Sequence, residues 1–174
     1  MNRNTFKKHI NQLEVEELKE ELFALFTKVK GVKNYYLMEL GDDKQRQKIY
    51  NKAKKEITAK YATKSYRRPR RPRIQKIKTI IKSLENESIL PYELIDIYLH
   101  NSEVAIAFMM EYSFYSTPLT NSINNTFIKA LELIDSELMK SEYEERCLAL
   151  TNEMNFMPWP FYNSMSLFLK VYAK

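Results

Sequence analysis

Two glycines, Gly31 and Gly41, are all that 174 residues contain, and this scarcity narrows the possible folds more than any other property of the chain. Glycine averages about 7% of residues in proteins. Hairpin turns use it to reach positive φ, and phosphate-cradling loops use it so that backbone can approach a ligand. Neither GxxxxGK[ST] nor GxGxxG can be built from two isolated glycines, which removes P-loop and dinucleotide-binding chemistry. Leu, Ile, Lys and Glu are abundant instead, and they point to helices. The 12 tyrosines suit half-wet helix faces, where a ring packs beneath an exposed hydroxyl. The expectation is an all-α protein.

The apolar spacing bears this out segment by segment. Residues 1–12 are polar and read as frayed. Leu18, Leu22, Leu25, Phe26 and Val29 recur at helical intervals, predicting an amphipathic helix over Glu14–Lys30 with Gly31 as its cap. Five glutamates in its first half suit a positive helix N-terminus. Tyr35–Leu40 reads as a short apolar turn, and Asp42 or Asp43 caps a helix running to about Ala62. Ile74, Ile77, Ile80, Ile81 and Leu84 form the next stripe. A mostly apolar, central helix runs from Pro91 to about Tyr112, with proline in the favoured first position. Thr117 and Pro118 start another, with Ile123, Phe127, Leu131, Ile134 and Leu138 inward. Ser141 and Glu144 have capping-box spacing at the head of a further helix to about Met154, with Tyr143, Cys147 and Leu150 inward. Trp159, between Pro158 and Pro160, reads as a corner whose rings fill the end of the core, before a last helix containing Phe168 and Tyr172. The sum is six or seven antiparallel helices, as an irregular bundle or as stacked pairs, in one domain spanning 1–174.

Composition limits the setting and the chemistry. A single cysteine, Cys147, excludes an intrachain disulfide and suits a reducing cytoplasm. No apolar run approaches a membrane span of about 20 residues, and the first residues do not resemble a secretory signal, so a cytoplasmic protein without membrane contact is expected. His9 and His100 are the only histidines. With one cysteine they cannot complete a His/Cys zinc site, and no HExxH or CxxC spacing occurs. His100 reads as a hydrogen-bonded structural residue and Cys147 as a small core residue. No catalytic residue, metal ligand or cofactor is assigned, and nothing positive marks an enzyme.

One stretch carries most of the charge. Between Glu56 and Glu85 no acid occurs, while ten lysines and arginines do. Without them the formal charge of +6 becomes −4, because 18 basic residues then face 22 acids. Pro69 and Pro72 favour an extended, polyproline-like loop at about residues 63–73. It leads into a helix bearing Lys76, Lys78 and Lys82. Lysine and arginine at this density bind polyanions by releasing counterions, and a tyrosine beside them can stack on an unpaired base. The candidate binding residues are Arg67, Arg68, Arg70, Arg71, Arg73, Lys76, Lys78, Lys82 and Tyr66. Two uses stay open. The strip binds nucleic acid or another polyanion, or it pairs with acidic helices such as Glu14–Glu21 and Glu137–Glu145, fastening helices or subunits together in an interaction or self-association module. A nucleic acid, an acidic protein or a second copy of the chain are the partners this allows.

The phrases VKNYYLMEL, IQKIKTIIKSL, ELIDIYLHNSEVAIAFMMEY, TNSINNTFIKALELI and EERCLAL, in that order, resemble a bacterial family known only as domain of unknown function 6155. The resemblance runs from about Leu13 to Tyr172. It implies a small helical cytoplasmic protein and carries no functional residues with it. Members tend to have a glycine- and histidine-containing turn after the ERC helix, where this chain reads NEMNFMPWPFYN.

Overall fold

A computed structural model describes residues 2–87, 89–158 and 161–172. Among these there are nine helices and no strand: α1 (Arg3–Ile10), α2 (Val15–Lys28), α3 (Lys30–Leu40), α4 (Asp43–Tyr61), α5 (Ile74–Glu85), α6 (Pro91–Tyr112), α7 (Thr117–Ser136), α8 (Lys140–Asn155) and α9 (Tyr162–Tyr172). The all-α expectation holds, and the count of six or seven falls short.

The two unexpected helices have local causes. The polar first residues form α1 because the Asn2 side chain accepts the Thr5 N–H at 2.9 Å, satisfying an otherwise orphan donor. Tyr35–Leu40 is the second half of α3 rather than a turn. The backbone is extended at Val29 (φ −108°, ψ 106°), and the helix restarts at Lys30, so Gly31 lies inside α3 and caps nothing. Gly41 does have a steric role. A Cβ there would fall 2.2 Å from the Leu37 carbonyl oxygen.

Asp42 caps α4 as expected, accepting the Gln45 N–H at 2.7 Å, and Pro91 opens α6. Ser116, not Thr117, is the N-cap of α7. The Ser141–Glu144 box does not form, because α8 starts earlier, behind Met139, with no side-chain cap. The end of α7 explains this. Leu138 takes a left-handed conformation (φ 59°), and the Met139 N–H reaches back to the Ile134 carbonyl at 3.0 Å. That closure ends one helix and starts the next within a few residues. Leu138 therefore points outward, 85 % exposed, instead of inward. Ser113 (φ 47°) ends α6 in the same way, with Phe114 N–H on the Met109 carbonyl. Both turns use a residue where glycine is the usual choice.

The core gathers around α6, whose Ile95, Leu99, Ile106 and Met109 are fully buried. A four-residue connection joins α6 to α7, and Asn101 and Ser102 meet Thr126 near the middle of both helices, so the two are antiparallel. Not all neighbours are. Arg46, Lys54, Thr58 and Tyr61 of α4 meet Glu93, Asp96, His100 and Asn101 of α6 in ascending order. Those helices run parallel, with α5 as the crossover. Helix α8 also ascends beside α6, with Tyr143 on the Tyr92 carbonyl and Arg146 on Asp96 and Glu103. In the buried centre Tyr61 donates to Asn101, which donates to Thr126. Such a satisfied polar chain fixes the register of three helices.

Candidate nucleic-acid interface

The site begins where α4 ends. Residues 62–73 leave the helix and return to it, because the Arg73 N–H donates to the Lys60 carbonyl at 3.2 Å. A loop of this length with its ends held together is compact rather than a free arm. Thr63 organises the inside, its Oγ1 accepting the Arg70 N–H at 3.0 Å, and the Ser65 hydroxyl accepts the Arg68 N–H at 3.3 Å. Pro69 and Pro72, which lack donors, are half-buried while the neighbouring arginines are exposed. Prolines thus turn inward and guanidinium groups outward.

All nine sequence-predicted residues are exposed: Tyr66, Arg67, Arg68, Arg70, Arg71 and Arg73 on the loop and its exit, and Lys76, Lys78 and Lys82 on α5. Tyr66 keeps 71 % of its surface in solvent while its ring leans on Tyr112, centroids 5.5 Å apart. On α5, Ile77, Ile81 and Leu84 are buried. Helical geometry then sets Lys78 and Lys82 together on the edge facing α7.

None of these cations joins an ion pair among the described residues. Neither acidic face, Glu14–Glu21 or Glu137–Glu145, reaches them through an ion pair among the described residues. Glu16 pairs with Lys19, Glu21 meets His9, and Asp135 pairs with Lys140. At the end of α5, burial would raise the Glu85 carboxyl. Hydrogen bonds from Lys129 and Tyr98, with the charges of Lys129 and Lys82, hold it below its ordinary value instead.

The fold adds a wall that the sequence did not announce. A cleft of about 770 Å³ opens between the loop exit and the start of α7, with Arg71, Arg73, Lys76 and Lys78 on one side and Tyr115, Thr117 and Asn121 on the other. Its basic side was predicted; its α7 side was not. The only trace in sequence is the helix-start pattern Ser116–Pro118, which says nothing about which partner that helix end will meet.

The other candidates lie apart from this surface. His100 sits between α4 and α6, its Nε2 3.0 Å from the Thr58 hydroxyl. Burial and the Lys54 ammonium lower its pKa. Nearby, Arg146 bonds Asp96 and spans both oxygens of Glu103, the longer contact being 2.9 Å, and Lys54 bonds Asp96 at 2.9 Å. Cys147 is buried, which pushes its thiol up to about 11, so it is protonated at neutral pH and a poor nucleophile. Among the described residues no group of three or more His, Cys, Asp or Glu is placed to hold a metal ion, and no helix is long and apolar enough to cross a membrane. The expected corner at Trp159 lies outside the described residues. Beside it Phe161 is buried and Phe156 exposed.

Fold and surface together define a helical protein with a closed, proline-stiffened basic loop feeding a lysine-bearing helix. The chain belongs to a family of unknown function, DUF6155, which matches residues 1–172. Neither the curated proteins nor the solved structures contain a match.

Proposed function

We propose that the protein binds nucleic acid through its phosphate backbone, using the loop at about residues 63–73 and the exposed lysines of α5. The observation that carries this reading is that none of the eight clustered cations joins an ion pair among the described residues. Held close together without neutralisation, they repel one another, and a polyanion relieves that repulsion while releasing its own counterions. Tyr66 offers an exposed ring to an unpaired base, and the cleft beside Arg71 and Arg73 gives the backbone a path. Contacts of this kind grip charge and not sequence.

The test is binding of labelled single- and double-stranded oligonucleotides over a range of salt, with the wild type and with Arg67, Arg68, Arg70 and Arg71 changed to Ala. Binding should weaken steeply with salt, with a log–log slope reduced by about 3 in the variant, from ~0.7–0.9 per lost phosphate contact. No binding at low salt, or binding indifferent to the four changes, rejects the proposal. The second use of the strip, docking on an acidic helix of another chain, predicts the same arginine dependence for a protein partner but no response to oligonucleotide.

A further inference from the structure

Helix α2 is amphipathic yet buries nothing. None of its 14 residues is buried, and Val15, Leu22 and Phe23 are 65 %, 45 % and 74 % exposed. Phe26 is half-covered, meeting the edge of Tyr36 at 6.2 Å. Helical spacing gathers Val15, Leu18, Leu22, Leu25 and Phe26 into one stripe, with Glu16, Glu17, Glu20 and Glu21 around the remaining circumference. Across a groove of about 590 Å³, Val32 and Tyr35 of α3 continue the apolar surface. The uncovered side chains amount to an area on the order of 700 Å², more than the ~300–600 Å² of a usual largest exposed patch. That is close to the ~800 Å² each partner buries in a standard interface.

The charge along α2 shows what covers it. The first half holds Glu14, Glu16, Glu17, Glu20 and Glu21, and its one lysine, Lys19, is taken by Glu16 at 2.6 Å. The far end and the start of α3 hold Lys28, Lys30 and Lys33, none in an ion pair among the described residues. Turned end for end against a copy of itself about Leu22, the helix sets Leu18 opposite Phe26 and lays its acidic first half beside the basic end of the partner. A parallel pairing sets glutamates against glutamates. A two-fold interface has to be complementary to itself, and this surface is so in the antiparallel sense. A lipid surface fits poorly, since helices that lie on anionic membranes carry lysine and arginine on the polar face, where α2 carries glutamate.

We infer that the chain forms a two-fold dimer by antiparallel packing of α2 on the α2 of a second copy. This does not depend on the nucleic-acid proposal. The groove borders the C-terminal end of α5 at Ser83 and Asn86, while the basic loop enters that helix at its other end, ~18 Å away for 12 residues. Pairing through α2 therefore leaves the arginine loop uncovered, and of the strip only Lys82 lies beside the groove.

Sedimentation velocity of the full chain from low to high micromolar concentration tests the inference. A concentration-dependent dimer is expected, and Leu22→Asp should raise its dissociation constant at least ~30-fold, as loss of a central contact does. Circular dichroism should keep its helical signal, because α2 supplies no core residue. Two charge variants guard against a folding artefact: Lys28→Glu with Lys30→Glu, and Glu16→Lys with Glu17→Lys. Each should be monomeric alone, and the two mixed should form a heterodimer. A wild type monomeric at every concentration, a dimer indifferent to Leu22→Asp, or variants that fail to pair on mixing would each overturn it.

Discussion

Two groups of basic residues in this molecule are built in opposite ways. Around Arg146, between α6 and α8, each cation is matched: the guanidinium holds Asp96 and Glu103, Lys54 shares Asp96, and the cluster is mostly shielded from solvent. Along residues 67–82 eight cations stand in water with no acid paired to any of them among the described residues. In the first group charge is spent on position. It fixes how α8 sits on α6, and removing one member strands the others. In the second, charge contributes little to the fold, and stays available to whatever meets the surface.

That contrast can be broken at either end. The largest effect expected is on binding: changing Arg67, Arg68, Arg70 and Arg71 to Ala should cost about 100-fold or more in oligonucleotide affinity at low salt, while thermal stability stays within ~0.5 kcal/mol of wild type, as for surface substitutions. A large loss of stability would mean that the loop belongs with the structural group after all. Arg146→Ala should do the reverse, losing ~2 kcal/mol in urea denaturation because Asp96 and Glu103 are left short of a partner, a figure below that of a fully buried pair because the side chains keep some exposure. Oligonucleotide binding should not move.

A pH series sharpens the structural side. Because burial and Lys54 lower the His100 pKa below its ordinary 6.5 in the fold, the unfolded chain takes up that proton first. Stability from the neutral ring is complete above about 6.5 and declines as pH falls through that value towards the folded pKa. The drop in melting temperature between pH 7.5 and 5.5 should be smaller in His100→Gln than in wild type; equal drops would remove His100 from the account. The smallest effect belongs to Lys78→Ala with Lys82→Ala, where stability should change by no more than ~0.5 kcal/mol and the salt slope of binding by about 1.5.

How far the sequence reached depended on whether a feature was local. The caps at Asp42 and Pro91 were legible because the residues that start those helices lie within one turn of each other. The basic run itself was legible, but whether its arginines stand free or pair with acidic helices was not, because that depends on which faces the fold turns towards the loop. Helix α1 was missed since its only signal is one asparagine ahead of a polar stretch. Leu138 was misplaced since apolar spacing continued past the point where a left-handed residue ends the helix. The α7 wall of the cleft, and the parallel course of α4 and α6, come from helices that meet only in three dimensions. The exposed stripe of α2 shows the converse difficulty: its periodicity is that of a core-facing helix, and sequence alone does not tell a face turned inward from one awaiting another chain.

The backbone bond from Arg73 to Lys60 has a consequence for how such a surface can change over time. With both ends of the loop tied at the head of α5, its tip can be lengthened or shortened without disturbing either helix, and doubling a flexible loop costs only ~0.6 kcal/mol of closure entropy. The number and spacing of the arginines are therefore free to drift while the helices keep their packing. The loop behaves as an interchangeable fitting on a fixed frame.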